Sequence, residues 1–109
     1  MQEFLIKNVG DGPAENVVIR LYVDTDEYIP VRGISGKWDE ENISDESDFA
    51  QVFVRYLFLA RGTGLIPQDS QTFGIQIDDE IRAEAMLKIL FGQSEPRRIP
   101  FTLVVQKKE

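Results

Sequence analysis

Apolar and polar residues alternate along much of this chain. Between Val17 and Val23 the odd-numbered residues are all aliphatic, and Arg20 and Tyr22 are among the residues between them. Successive side chains of a β-strand point to opposite faces of the sheet, so a period of two is typical of a strand with one buried face. We therefore predict a strand at Val17–Val23.

Similar patterns predict four further strands, at Phe4–Val9, Gln51–Leu59, Thr72–Ile77 and Ile99–Val105. Gln51–Leu59 is rich in apolar residues on both faces, which indicates a central strand rather than an edge strand. Proline has no amide hydrogen for a strand ladder. We therefore expect Pro100 at the start of a strand or in an edge strand.

The first two strands are separated by a segment rich in turn-forming residues, which reads Asn-Val-Gly-Asp-Gly-Pro-Ala from residue 8 to residue 14. Glycine tolerates positive φ, proline fixes a bend, and asparagine and aspartate bond to nearby backbone groups. We expect this turn to join the first two strands as a pair.

The segment from Glu80 to Gly92 has two interpretations. Its residues from Glu80 to Lys88 include strong helix formers. Against a helix, Ala85, Leu87, Ile89 and Phe91 alternate with the residues between them. A strand is favoured over a helix at residues 80–91, and both remain open.

Six or seven strands in 109 residues, with turn signals at short intervals, predict an all-β antiparallel β-sandwich of about seven strands. Residues 1–109 are expected to form one such domain, a fragment of a larger protein, with a long acidic loop at about residues 25–50.

The composition restricts the function. A net charge of −7 argues against nucleic-acid binding, because that requires clustered lysine and arginine. No apolar stretch approaches the roughly 20 residues of a transmembrane helix, so direct membrane insertion is not expected. The absence of histidine and cysteine removes the commonest general base, the commonest metal ligand and every disulfide. We identify no catalytic residue and expect no enzyme.

Residues 6–19 carry a more specific pattern. A strand ends in Asn8-Val9-Gly10, the turn continues through Gly12, Pro13 and Ala14, and the next strand opens at Asn16-Val17. We expect Asn8 to cap the bend through its side chain, Gly10 and Gly12 to supply conformations that a Cβ obstructs, and Pro13 and Asn16 to set the exit and register.

This pattern resembles that of prokaryotic immunoglobulin-like domains, including the CARDB-like domains related to bacterial cell adhesion. The resemblance covers about the first quarter of the chain and implies an immunoglobulin-like sandwich. It also implies a spacer or adhesive module at the cell surface or elsewhere outside the cytoplasm, or else a membrane-tethered cytoplasmic domain.

The most unusual segment is the acidic run from Trp38 to Asp48. Its carboxylates, with Asp39, Glu41, Asp45 and Asp48 as candidate ligands, suggest a calcium site, since calcium prefers several oxygen ligands. The spacing is not that of an EF-hand loop. The favoured interpretation is a solvated loop, and calcium is the one cofactor that the sequence suggests.

Trp38 is the single tryptophan. If exposed, its indole would suit a sugar ring or a protein partner; burial is the favoured alternative, because indoles are usually buried.

The sequence therefore leaves two hypotheses for the function. The first is a non-catalytic structural, adhesive or protein-interaction module of a larger surface or membrane-associated protein. The second is a carbohydrate- or calcium-binding accessory domain of an enzyme.

Overall fold

A computed structural model describes residues 2–9, 17–27, 31–33, 38–43, 45–46, 48–57, 67–68, 70–77, 80–92 and 95–105. The described residues form an all-β structure without a helix, and so contain no helix able to cross a membrane. The described residues include eight strands: β1 (Gln2–Lys7), β2 (Val17–Val23), β3 (Arg32–Gly33), β4 (Asp39–Glu40), β5 (Gln51–Leu57), β6 (Ser70–Gln76), β7 (Ile81–Leu90) and β8 (Arg97–Val105).

The strands form two sheets, and every pairing is antiparallel. The larger sheet has five strands in the order β4-β5-β2-β7-β8, and the smaller has three in the order β1-β6-β3. Strand β2 lies at the centre of the larger sheet, between β5 and β7. The side chains of β2 therefore have a neighbouring strand on each side.

The main hydrophobic core contains residues of both sheets. Ile19 and Leu21 of β2 are fully buried, and Ile75 of β6 belongs to the same cluster. Burying each of these side chains contributes about 1.5–3 kcal/mol. The alternation along β2 therefore directs its odd-numbered residues into an interior to which both sheets contribute.

The strand predictions are confirmed in position, and Val17–Val23 has the expected bounds. The segment that was open between helix and strand is strand β7. Ala83, Ala85 and Leu87 are buried, whereas Glu84 is exposed. Packing of alternate residues has overridden the local preference for helix, as tertiary context commonly does in sheets.

The predicted pairing of the first two strands is wrong. Strand β1 pairs with β6, whereas β2 pairs with β5 and β7, so the two strands lie in different sheets. Turn-forming residues predict where a strand ends, but they do not specify its hydrogen-bonding partner.

Two further predictions concern strand position. Strand β5 lies between β4 and β2, as its two apolar faces predicted. Pro100 lies within β8, an edge strand of the larger sheet, where a missing amide hydrogen is tolerated. At the turn between β7 and β8, Gly92 has a φ of +53°, a backbone conformation that residues with a Cβ rarely adopt.

Candidate functional site

The face of the five-stranded sheet opposite the main core carries a second cluster of buried side chains. We call it the outer face. Tyr22, Val52, Val54 and Met86 lie there and are at most 6% exposed. An open sheet face would leave such residues accessible to water, so something covers them.

The cover is formed by described residues from the second half of the acidic run and by the residues directly after it. We call residues 42, 43, 45, 46 and 48–50 the covering segment. Ile43 and Phe49 of this segment pack against the apolar cluster, and the rings of Phe49 and Tyr22 lie 5.7 Å apart at an interplanar angle of 60°. This tilted arrangement is one that aromatic pairs favour.

Beside the apolar cluster, three basic residues lie in register across three strands. Arg20 of β2 is the cross-strand partner of Lys88 in β7, and Lys88 is the partner of Arg98 in β8. We call these residues the cation row. Like charges directly opposite one another destabilise a sheet. The cation row therefore requires counter-charges.

Asp45 supplies the first counter-charge. One carboxylate oxygen, Oδ2, lies 3.1 Å from Nη1 of Arg20 and 2.6 Å from Nζ of Lys88. The hydroxyl of Tyr22 donates to Oδ1 of Asp45 over 2.9 Å. The carboxylate of Asp45 thus bonds to two members of the cation row and to the hydroxyl of Tyr22, which belongs to the apolar cluster.

Glu46 supplies the second counter-charge. Its Oε1 accepts from Nε of Arg98 at 2.8 Å and lies 3.4 Å from Nζ of Lys88. Two adjacent carboxylates therefore alternate with three cations, and Lys88 in the centre faces both. The side chain of Lys88 is only 6% exposed.

The ionisation equilibria reflect this pairing. Burial by itself lowers the pKa of Lys88, but the hydrogen bond to Asp45 and the neighbouring negative charges outweigh it, so the pKa lies above the ordinary value of 10.5. Burial raises the pKa of Asp45, but hydrogen bonds from Lys88 and Tyr22 bring it below 3.8. Both groups are held in their charged forms.

The pKa values of Tyr22 and Glu46, which also belong to this cluster, shift in opposite directions. Burial, as the largest cause, raises the pKa of Tyr22 above 10.0. The hydrogen bond from Arg98 lowers the pKa of Glu46 below 4.5. The pKa values of all four groups therefore lie further from neutrality than their ordinary values.

One donor of the cation row has no partner. Nε of Arg20 is buried and makes no hydrogen bond, although Nη1 of the same guanidinium is bonded to Asp45. A guanidinium can bind a carboxylate through two parallel bonds. Asp45 therefore leaves part of the hydrogen-bonding capacity of Arg20 unused.

Trp38, the candidate binding residue, is 6% exposed and belongs to the main core. Its indole Nε1 donates to the backbone carbonyl of Gly74 in β6 over 3.0 Å. The indole thus joins the start of β4 to the smaller sheet, and the alternative in which it is buried is the one observed.

The four candidate calcium ligands are not brought together. Asp39 lies in β4, the backbone amide of Glu41 donates to Val52 over 3.0 Å, and Asp48 is exposed. Asp45 faces cations. Within the described ranges, no group of three or more acidic side chains is arranged to hold a metal ion.

The acidic run was expected to be a solvated loop, and the described part of it differs. Ile43, Asp45 and Glu46 of the run contact the outer face through apolar packing or ion pairs, as does Phe49 just after it. The sequence could not reveal this, because the cations that bind these carboxylates lie 25 to 52 residues away along the chain.

Of the predicted turn residues, the structure describes Asn8. Its backbone carbonyl accepts a hydrogen bond of 2.8 Å from the amide of Gln68. The remaining candidates, Gly10, Gly12, Pro13 and Asn16, lie outside the described residues.

The sequence pattern did not single out Arg20, Tyr22, Lys88 or Arg98 as site residues. A signal was present, because Arg20 and Tyr22 alternate with the buried residues of β2, and Lys88 alternates with Leu87 and Ile89. That signal places Arg20 and Lys88 on the face opposite the core. The register that aligns them is a tertiary property.

The cation row, the apolar cluster beside it and the covering segment therefore form the candidate functional site, in which cations pair with two carboxylates and apolar side chains pack together. Comparison with known proteins gives no match to a family model, a curated protein or a solved structure.

Proposed function

We propose that this chain is a non-catalytic protein-interaction or adhesive module with an immunoglobulin-like β-sandwich fold. One observation carries the proposal: the outer face already holds a peptide segment through side-chain contacts. Ion pairs to the cation row and packing of Phe49 on Tyr22 combine the charged and apolar contacts used in peptide recognition.

The fold assignment is supported by two antiparallel sheets that contribute to one core. An aligned packing of such sheets is the architecture of the sandwich class. The Asn8–Val17 pattern supports the immunoglobulin-like and CARDB-like part of the proposal. It also supports placement in a larger surface or membrane-associated protein.

The non-catalytic part of the proposal is supported by composition and by the ion pairs. The chain has no histidine or cysteine. The shifted pKa values of Lys88 and Asp45 hold both groups charged at neutral pH. Neither group is therefore adapted to exchange a proton with a substrate.

The alternative, a carbohydrate- or calcium-binding accessory domain, depends on an exposed Trp38 and on converging carboxylates. The indole is buried, and Asp45 is paired with cations. Neither observation supports the alternative, so the interaction module is the function that the geometry favours.

Site-specific photo-crosslinking tests the proposal. A photoreactive phenylalanine derivative replaces Thr102, which is exposed on the outer face, and in a matched control replaces Leu5, which is 66% exposed on β1 of the smaller sheet. The two chains are irradiated in the cells that make the full protein.

A discrete protein adduct at position 102 that is absent at position 5, and that is reproduced with the purified partner, is the expected result. Equal adducts at both positions would remove the outer face as the interaction surface. Binding of calcium or an oligosaccharide to the purified chain, in the absence of a position-102 adduct, would favour the accessory-domain function instead.

A further inference from the structure

We infer that the covering segment is a built-in ligand, and that the surface beneath it binds an acidic peptide segment of a partner protein. The chemistry is specific: two adjacent carboxylates, with an aromatic residue three positions after the second, as Asp45, Glu46 and Phe49 stand in this chain. This inference rests on the proposed interaction function and specifies its ligand.

Charge complementarity identifies the ligand class. Asp45 bonds to Arg20 and Lys88, and Glu46 contacts Lys88 and Arg98, so two neighbouring carboxylates form ion pairs with all three cations. Without a bound acidic segment, three like charges would face one another across adjacent strands. The cation row therefore selects a peptide with paired acidic residues.

The apolar cluster adds a second requirement. Phe49 lies against Tyr22, and the hydroxyl of Tyr22 donates to Asp45. Tyr22 thus contacts both the aromatic residue of the segment, through its ring, and the acidic residue, through its hydroxyl. A purely acidic peptide would leave the buried ring of Tyr22 uncovered, so we expect the aromatic residue to be required as well.

The attachment of the covering segment is replaceable. Glu41 donates its amide to Val52 beside strand β4, but for the described residues from 42 to 50 the polar contacts to the sheet are made by side chains. The amide of Phe49 bonds to Glu46 within the segment itself. Another peptide can therefore take this place without breaking a strand ladder.

The unused donor on Arg20 is an independent indication. Its buried Nε has no partner while the covering segment is bound. A partner carboxylate approaching the guanidinium side-on would satisfy both Nε and a terminal nitrogen, which is the geometry that arginine prefers. The covering segment thus leaves one buried donor of this guanidinium unsatisfied.

Competition in trans provides the test. The probe is a fluorescently labelled synthetic peptide with the sequence of residues 41–50, Glu-Asn-Ile-Ser-Asp-Glu-Ser-Asp-Phe-Ala. It is titrated by anisotropy against the wild-type chain and against the double variant Asp45→Asn/Glu46→Gln, whose own segment has lost its charges. Circular dichroism establishes that the variant is folded.

We expect the probe to bind the double variant at least about tenfold more tightly than the wild-type chain, because an internal competitor reduces apparent affinity by the fraction of sites that it occupies. Added salt should weaken this binding. Matched control peptides carrying D45N/E46Q or F49A should bind the variant much more weakly than the wild-type peptide does.

Equal binding of the wild-type and control peptides to the folded variant would overturn the inference. A concentration-dependent dimer of the variant, without a gain in peptide binding, would assign the face to a second copy of the chain. If the double variant does not fold, Glu46→Gln alone is titrated, and the absence of any gain over wild type overturns the inference equally.

The crosslinking experiment uses the chain with its own segment intact and makes no assumption about the ligand's charge. A position-102 adduct together with failed peptide binding would therefore leave the proposed function standing and remove only the acidic-peptide inference.

Discussion

Nζ of Lys88 and Oδ2 of Asp45 lie 2.6 Å apart, although the two residues are separated by 43 positions in the chain. Lys88 is a buried lysine on the outer sheet face, and Asp45 belongs to the most acidic part of the sequence. Their contact attaches a segment that was expected to be a solvated loop to the outer face of the sheet.

Asp45→Asn should destabilise the fold by about 1–2 kcal/mol, because it weakens the pairing of a nearly buried ammonium group. The value is at the low end for such a loss, since the side chain of Asp45 is 34% exposed and water can partly replace it. Urea unfolding measures the change.

The matched control for this variant is Asp48→Asn, which removes the same charge from an exposed position of the same segment. We expect its free energy of unfolding to lie within about 0.5 kcal/mol of wild type. Equal destabilisation by the two variants would mean that net charge, and not the contact with Lys88, is responsible.

Lys88→Met should cost less than Asp45→Asn. Removing the ammonium leaves Asp45 bonded to Arg20 and Tyr22, and it relieves the repulsion within the cation row. Methionine also retains most of the apolar length of the buried side chain. Urea unfolding of the two single variants and of the double variant measures the order of the costs and the coupling between the residues. The reverse order would contradict the role assigned to the cation row.

The stability of the chain should fall at acid pH through Asp45. Its folded pKa lies below the ordinary value of 3.8, so its stabilising contribution is complete above that value and is lost as the pH falls through the folded pKa. The groups that face this carboxylate are Arg20, Tyr22 and Lys88.

The stability difference between wild type and Asp45→Asn should therefore be constant above about pH 5 and shrink below about pH 4. Urea unfolding at a series of pH values measures it. Lys88 acts in the opposite sense: its folded pKa is raised, so its contribution is present below 10.5 and lost as the pH rises through the folded pKa. If the stability difference between wild type and Asp45→Asn did not change at acid pH, that result would contradict the lowered pKa of Asp45.

Trp38 should show the fluorescence of a buried indole. We expect a blue-shifted emission that acrylamide quenches poorly and that neither oligosaccharides nor calcium change, since the side chain is 6% exposed. A red-shifted emission that responds to a ligand would instead support the accessory-domain function.

Trp38→Phe should cost about 1–3 kcal/mol in urea unfolding, because the carbonyl of Gly74 loses its donor and the core loses volume. Tyr22→Phe is a useful comparison, because it also removes one hydrogen-bond donor but keeps the ring that packs on Phe49. We expect it to be the milder of the two, since Asp45 keeps its bonds to the cations.

Much of the secondary structure was predictable because a strand with one buried face has a local signature. Val17–Val23 was predicted with its exact bounds, and Pro100 was expected where an edge strand would tolerate it. The conflict between helix propensity and alternation at residues 80–91 was decided by burial of Ala85 and Leu87, which is a property of the packed state.

The candidate site was less predictable, although the sequence drew attention to its acidic residues. The acidic run was recognised as unusual, and its carboxylates were assigned to calcium or to solvent. Their actual partners come from three different strands, and only the pairing of β2 with β7 and of β7 with β8 aligns Arg20, Lys88 and Arg98.

The sequence by itself determined which residues form strands and which face of each strand is apolar, because side-chain alternation is a local property of an extended backbone. Only the tertiary structure decided that β1 and β2 enter different sheets, that the three cations align, and that an acidic segment lies over them. Strand pairing and ion pairing join distant positions, and their free energies depend on burial and register that no local pattern contains.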